Sequence, residues 1–333
     1  MLFNKNSLGT AELKARIGFL YASNEFDNIK TDIEIAEEEI IELIGQAVYD
    51  RANAHYISAS YEKTTPSAAE LLNDNLVHHI QLPVALFAYI EFSANRDVSH
   101  EDTGRKIKID SLTEKIPWDW LLERDDASVL RKAHKTTDRL IAFLEKNEAS
   151  ISEWKNSASQ VLARSLFINT AKVFDANFPI DKSRRFFLKI LPFMQEVENN
   201  TIKAVLNPIL FDAIKDEIKA GSLTGDNPDI LALIQPALAY LTMAKAVKRL
   251  SLQVIPEGVI QNYMSESQTT PAKQVPMLQL MNDVAKDFQL EGEVMLSALE
   301  QHLVKLIADE AEEEYAPDSI IDHNDTANKH FRV

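Results

Sequence analysis

Histidines are the first residues to test for chemistry, because the chain has only eight of them. Helical di-iron proteins use Glu-x-x-His on two helices, since residues three apart share a helix face. Five histidines in helical segments have no acid three positions earlier; the residues found there are Ala52, Asn75, Leu76, Arg131 and Leu299. The sequence therefore argues against a di-iron site, and the zinc motif His-Glu-x-x-His is also absent.

Two pairs of residues have the spacing for a shared metal ion. His134 and Asp138 are four residues apart on one predicted helix face, and so are Glu38 and Glu42. No third ligand is evident for either pair, so a surface hydrogen bond and a solvated helix face are the favoured interpretations. A nucleophile elbow is also missing. We therefore predict no catalytic residue, no metal and no cofactor, and a protein that is not an enzyme.

The composition excludes further classes of protein. The 333 residues include 35 basic and 51 acidic ones, for a net charge of −16, with eight glycines and no cysteine. Glycine-rich phosphate loops and disulfides are therefore absent, and the charge argues against a sequence-specific reader of duplex DNA. Most of the negative charge lies in two stretches, 25–42 and 309–333. No signal peptide or membrane span is expected, which favours the cytoplasm or a particle assembled there.

Helical periodicity runs through most of the chain. The apolar positions from Ile33 to Val48 recur every three or four residues, and Asp32 is expected to cap that helix. Its solvent face is predicted to hold Glu34, Glu37, Glu38 and Glu42. Further helices are predicted over Ala68–Asn95, Ala127–Glu145, Glu153–Phe174, Arg184–Lys219, Asp229–Leu250 and Pro276–Glu314, the last with breaks.

An internal repeat is the most informative feature of the sequence. The segment 35–50 matches 197–212 in its apolar positions, and both copies end in an aromatic residue followed by Asp. A second match relates Gln81-Leu-Pro83 to Gln235-Pro236 at an offset of 154 residues, against 162 for the first. The chain is therefore interpreted as an internal duplication of one helical unit.

Each copy is predicted to contain two long helices, a short β-hairpin and a closing helix. The hairpins are placed at the glycine turns His100–Gly104 and Val254–Gly258, with Lys106–Ile109 as a strand. The fold class is therefore mainly α, with two similar units. The predicted boundaries are a first unit over 1–150, a connecting helix over 151–182, a second unit over 183–308 and an acidic, disordered tail over 309–333.

Two groups of residues are candidate interface positions. Trp118 and Trp120 lie between the first hairpin and its closing helix. Indole side chains there could equally well anchor a protein interface or fill the hydrophobic core. The second group is a basic stretch in this acidic chain, which suits either a solvated helix start or an acidic partner; it consists of Lys182, Arg184, Arg185 and Lys189.

The repeated segments resemble an uncharacterised family found in phages and prophages. The resemblance is carried by Phe26–Lys30, by Ile35–Ile40 continuing through Leu43 to Tyr49-Asp50, and by Asp102–Gly104. In outline each half is similar to the helical head–tail connector, or adaptor, proteins of tailed phages. The second half departs from the pattern, since Asn207-Pro208 replaces Gly45-Gln46.

That resemblance implies a structural protein without catalytic residues. It would assemble as a homo-oligomer and contact portal or tail proteins, in the cytoplasm or the virion. A channel wall that passes DNA should not attract phosphates, so the negative charge is compatible with this role. The alternative is a helical interaction scaffold outside the virion, whose two halves dock partner proteins.

Overall fold

The computed structural model describes residues 1–18, 25–96, 99–101, 104–106, 118–250, 252–255, 258–261 and 278–314. In these ranges the protein is mainly helical, as the sequence predicts. It divides into two compact units, the first formed by 1–192 with 253–276 and the second by 193–252 with 277–333. The boundary near 192 replaces the one predicted at 183.

Five helices form most of the first unit: α1 (Gly9–Ile17), α2 (Lys30–Ile44), α3 (Gln46–Ile57), α4 (Ala68–Arg96) and α5 (Asp119–Lys146). The long α4 is central, because α1, α2, α3 and α5 all pack against it. Its apolar stripe, with Leu76 and Ile80, is fully buried in a core that also contains Ile33 and Leu140. The predicted helix over Ala68–Asn95 is confirmed to within one residue.

Two details of α2 differ from the sequence prediction. The helix begins at Lys30, its N-cap is Ile29, and no side chain caps it, so the capping role predicted for Asp32 is wrong. Glu37 is buried, with 5% of its surface exposed, whereas a solvent-facing position was predicted. Glu37 lies one turn after Ile33, so the backbone places it on the apolar face, where hydrogen bonds satisfy its carboxylate.

A short strand pair follows α4. Strand β1 (Ser99–Glu101) pairs antiparallel with β2 (Gly104–Lys106), so that Ser99 faces Lys106 and Glu101 faces Gly104. The remainder of the strand predicted over Lys106–Ile109, residues 107–109, lies outside the described residues.

The predicted connecting helix over 151–182 is wrong. The structure has three short helices there, α6 (Ser152–Lys155), α7 (Ala158–Arg164) and α8 (Ala171–Asn177), within the first unit. Ser157 and Thr170 begin new helices, because each side-chain oxygen accepts a backbone N–H of the first turn, from Gln160 and Val173 respectively. Small polar residues therefore interrupt what periodicity alone joins into one helix.

The second half begins with α9 (Arg184–Val197), a π-helical turn (Glu198–Ile202), α10 (Lys203–Leu206) and α11 (Pro208–Ala220). The helical stretch predicted over 184–219 is interrupted at Asn207. Pro208 is the first residue of α11, a position where the backbone N–H that proline lacks would have no partner within the helix. Pro192 lies inside α9. The residues before and after Pro192 belong to different units.

Two long helices dominate the second unit, α12 (Asn227–Leu250) and α13 (Leu278–Glu314), with strands β3 (Leu252–Ile255) and β4 (Gly258–Gln261) between them in sequence. By length and composition α12 could cross a membrane, but half of its most apolar window is buried inside the protein, as is typical of a core helix. No break interrupts α13, which continues to Glu314, so the tail predicted to be disordered from 309 is helical over its first six residues. Residues 315–333 lie outside the described ranges.

The backbone repeats at the offsets found in the sequence. Gly45 ends α2 with φ 90° and ψ 144°, and Asn207, 162 residues later, ends α10 with φ 61° and ψ 159°. Each is followed at once by another helix. Strands β3 and β4 overlap the positions 154 residues after β1 and β2. The two halves therefore share the same unusual helix break, in spite of their different residues there.

Candidate functional site

The predicted tryptophan pair lies on the surface. Trp118 is the N-cap of α5 and is 69% exposed, and Trp120 in the first turn is 46% exposed. Their ring centroids are 6.1 Å apart at an interplanar angle of 60°, and Leu121 beside them is 42% exposed. These three residues are called the indole patch below. The sequence left two roles open for these tryptophans, and the exposure of their side chains favours an interface anchor over a core residue.

The basic stretch is divided between internal contacts and solvent. Arg184 Nε donates to the Glu145 carboxylate at 2.6 Å. The Asp138 carboxylate caps the start of α9, accepting from the Arg185 backbone N–H at 2.7 Å and from the Ser183 hydroxyl. Lys182 and Lys189 are exposed. The segment therefore docks onto α5, and only part of its charge faces solvent.

The structure does not bring the two predicted interface groups together. Asp138, where the basic stretch docks, is 18 residues after Trp120 on the same helix, which corresponds to about 27 Å along its axis. They are separate surface features rather than one site.

His134 and Asp138, one of the two pairs with metal-ligand spacing, have other partners. Asp138 is occupied as a helix cap, and the His134 ring lies 5.9 Å from the Phe87 ring. Burial, and then the nearby Arg185, lower the pKa of His134, which favours the neutral imidazole. Among the residues that the structure describes, no three His, Asp or Glu side chains are grouped to hold a metal ion.

A buried His–Asp pair was not singled out by its sequence. His55 Nε2 lies 2.7 Å from Asp74 Oδ1, and both residues are more than 90% buried. The same Asp74 oxygen accepts the backbone N–H of Glu62 at 3.0 Å. The pair therefore connects α3 and α4 to the loop between them, and we interpret it as structural.

Each half also contains a buried glutamate close to the helix break. The Glu37 carboxylate accepts the Leu2 backbone N–H at 2.6 Å and a hydrogen bond from Tyr49. In the second half Glu198 is 1% exposed and pairs with Lys215. Burial raises the pKa of Glu37 and lowers that of Lys215, because removal from water disfavours the charged forms.

An outward apolar stripe on α13 was also missed by the sequence analysis. One face of α13 packs along α12, with Ala285, Gly292 and Leu299 buried at seven-residue spacing. Away from that face four apolar side chains are between 50% and 71% exposed: Leu290, Val294, Val304 and Ile307. These four residues are called the outer stripe. Their spacing is the signal that could have revealed them, since it places them on a face distinct from the heptad positions.

A cavity of about 230 Å³ lies between α1, α4 and α5 in the first unit. It is lined by the cationic or titratable residues Arg16, His78, His79 and Arg139, together with Ala15, Leu82 and Thr136. The two adjacent histidines, which the sequence places on different helix faces, both border this space. We call it the arginine–histidine cavity.

Comparison with known families explains the repeat. A model of a family of unknown function, DUF6712, matches residues 40–163 and again residues 202–306. The two matched segments begin at Ile40 and Ile202, which are 162 residues apart, the offset of the first repeat.

The chain belongs to the DUF6712 family. The same family model covers both halves, so this DUF6712 protein contains two related segments, as the sequence repeat predicts. Searches of curated proteins and of solved structures give no match to the chain.

Proposed function

We propose that this DUF6712 protein is a structural component of a phage or prophage particle that self-assembles in the manner of a head–tail connector. The outer stripe of α13 carries the proposal. A helix packed on one side against a neighbour normally presents polar residues on the other side. Four large apolar side chains at 50–71% exposure away from the packed face are suited to burial against another surface.

The occupant of the outer stripe, in this proposal, is a second copy of the chain. Connector proteins, which each half resembles in outline, form rings of identical subunits, and a ring repeats one interface around an axis. The indole patch supplies a second exposed apolar surface, on the first unit, for contact with the neighbouring subunit or with portal or tail proteins. The role requires no catalytic residue and no cofactor.

The charge of the protein supports the same role. A net charge of −16 repels nucleic-acid phosphates, so a ring of such subunits would let DNA pass without binding it. The proposed location is accordingly the cytoplasm during assembly and then the virion.

We infer that the halves are copies of one unit, consisting of a broken first helix, a long proline-containing second helix, a strand pair and a closing helix. Gly45 and Asn207 mark the break in the two copies, and Pro83 and Pro236 lie inside α4 and α12. The closing helices are α5 and α13.

Analytical ultracentrifugation of the full chain tests self-assembly. The wild-type protein should sediment as a species several times heavier than the 37.6 kDa monomer. The double substitution Val294→Asp and Val304→Asp should shift it to monomer, because each carboxylate would have to be buried unpaired in the interface. Val161→Asp is the matched control, since Val161 is 58% exposed on α7 but outside the outer stripe.

A wild-type protein that remains monomeric at every concentration, and also in a mixture with its candidate portal partner, would refute the connector role. Electron microscopy of that mixture should show rings. Neighbouring genes distinguish the alternative: portal, terminase and capsid genes favour the connector, whereas their absence together with intact self-association favours a scaffold outside the virion.

A further inference from the structure

We propose that the arginine–histidine cavity binds a small oxyanion, namely a phosphate or carboxylate group. It is a separate site from the surfaces in the assembly proposal, and its three walls come from α1, α4 and α5. At about 230 Å³ it has room for several water molecules, each of which takes about 30 Å³ in the liquid, and hence for a tetrahedral or planar oxyanion.

Arg16 is held in place by the protein around it. Its Nε donates to the Gln81 side-chain oxygen at 2.8 Å, and its Nη2 lies 3.4 Å from the Tyr61 hydroxyl and 3.5 Å from the Glu62 carboxylate. Gln81 is itself fully buried and donates to the Leu2 carbonyl oxygen. The guanidinium group is therefore oriented before any ligand arrives, which reduces the entropy lost on binding.

Arg139 supplies the second positive charge. It is exposed on α5, and in the described parts of the chain no acceptor or carboxylate pairs with it. Guanidinium groups bind carboxylates and phosphates through two parallel N–H donors. An arginine without an internal partner at the rim of a cavity can close over an anion held by Arg16.

The His79 ring is held in one orientation at the lining of the cavity. Its Nδ1–H donates to the Asn75 carbonyl oxygen at 2.7 Å, and the ring stacks on Phe143 at a centroid distance of 4.4 Å. These contacts fix the ring plane and leave Nε2 as the remaining polar atom. The ring therefore serves as a fixed reporter of ligand binding beside Arg16 and Arg139.

Two arginines line the cavity, and two carboxylates act on His78 beside them. Glu62 is the carboxylate that contacts the lining, at 2.9 Å from His78 Nε2 and close to Arg16. Asp74 is the second carboxylate that acts on His78, and its Oδ1 is occupied by His55 and by the Glu62 backbone N–H. Burial, and then Arg16, lower the pKa of His78, which favours the neutral imidazole. Among the described residues Arg139 has no such carboxylate partner, and it is the charge that a bound oxyanion would neutralise.

NMR of the histidine rings in the full chain tests the site directly. Inorganic phosphate, acetate and chloride are titrated at constant ionic strength, and His79→Gln identifies the His79 signal. Saturable movement of that signal with phosphate alone assigns a phosphate group, and movement with acetate alone assigns a carboxylate. Movement with both supports an oxyanion site that does not distinguish them. Equal, non-saturating movement with chloride, or none at tens of millimolar phosphate, would overturn the proposal.

Two substitutions on α5 make the test specific. Arg139→Gln should weaken the observed affinity about tenfold, the usual effect of removing one charge-assisted hydrogen bond. Arg131→Gln removes the same charge from an exposed position that does not line the cavity, so the affinity should stay within about twofold of wild type. Equal weakening in both variants would mean general charge screening and would refute a built site. Sedimentation of both variants reports on assembly independently.

Discussion

The shared helix break offers the sharpest test of how the backbone is built. Gly45 has φ 90° and ψ 144°, a region that residues with a Cβ occupy at a cost of about 1–3 kcal/mol. A Cβ added at Gly45 would lie 3.7 Å from Ser157 Cβ, an ordinary contact, so the cost of Gly45→Ala is conformational rather than steric. Alanine also restricts the unfolded chain, which returns about 0.4–1 kcal/mol. We expect a net loss in the free energy of unfolding of about 1–2 kcal/mol.

The reciprocal change, Asn207→Gly, should act in the opposite direction. Asn207 has φ 61° and ψ 159°, a similar region of backbone conformation, so its side chain imposes a similar conformational free-energy cost on the folded state. Its side-chain oxygen accepts the backbone N–H groups of Ile209 and Leu210 at 3.0 and 3.1 Å, but glycine at an N-cap is worse than asparagine by only a few tenths of a kcal/mol. Relief of the strain therefore exceeds the lost cap, and a gain of about 0.5–1 kcal/mol is expected.

Guanidinium denaturation measures both effects. The three tryptophans, at 118, 120 and 154, all lie in the first unit, so their fluorescence follows Gly45→Ala, and far-UV circular dichroism follows Asn207→Gly. Gly45→Asn serves as the control and should cost less than Gly45→Ala, because asparagine tolerates positive φ and can cap α3. A neutral Gly45→Ala, or a destabilising Asn207→Gly, would refute the common strained break.

Three further substitutions have expected outcomes that denaturation experiments can check. Lys215→Met should lower the free energy of unfolding by about 3–5 kcal/mol, because it removes the cationic partner of the buried Glu198. Glu37→Gln should stabilise the protein at pH 7, since burial raises the pKa of Glu37 and penalises its charged form; a pH series of unfolding curves should show the gain shrinking as pH falls through the raised pKa and vanishing below the ordinary value of 4.5. Gly292→Ala should cost about 1–3 kcal/mol, because its Cβ would approach Leu241 Cγ to 2.7 Å and the Leu241 backbone nitrogen to 3.2 Å.

Matched controls accompany these substitutions. Lys219→Met removes an exposed lysine paired with Asp216 and should cost less than about 1 kcal/mol. Ser297→Ala, on the exposed side of α13, should leave stability within about 0.5 kcal/mol of wild type. A loss for Lys215→Met no larger than that for Lys219→Met would contradict the buried pair. A Glu37→Gln gain that persists unchanged at low pH would contradict the carboxylate as its source.

Helix type and repeat could be predicted from the sequence because both are local patterns. The apolar spacing of Ala68–Arg96 is enough to predict α4, and the two matched segments identify the duplication before any fold is known. Helix ends were harder to predict. At Ser157 and at Thr170 a single hydrogen bond from a backbone N–H to the side chain starts a new helix. The periodicity of apolar residues carries no information about such a bond.

The candidate sites depended on neighbours that lie far apart in the chain. Arg16, His79 and Arg139 are unremarkable as single letters, and only the packing of α1 and α5 on α4 places them around one cavity. The exposure of Trp118 could likewise not be chosen from sequence, since an indole suits a core as well as a surface.

By itself, the sequence of this DUF6712 protein determined its helical class, its twofold repeat and its charge, because each of these is a property of residue type and spacing along the chain. The tertiary structure decided which side of each helix is covered. It buried Glu37, which was predicted to face solvent, and left the four apolar side chains of the outer stripe of α13 exposed. Burial depends on what packs against a residue, and in this fold those partners lie up to tens of residues away in the chain.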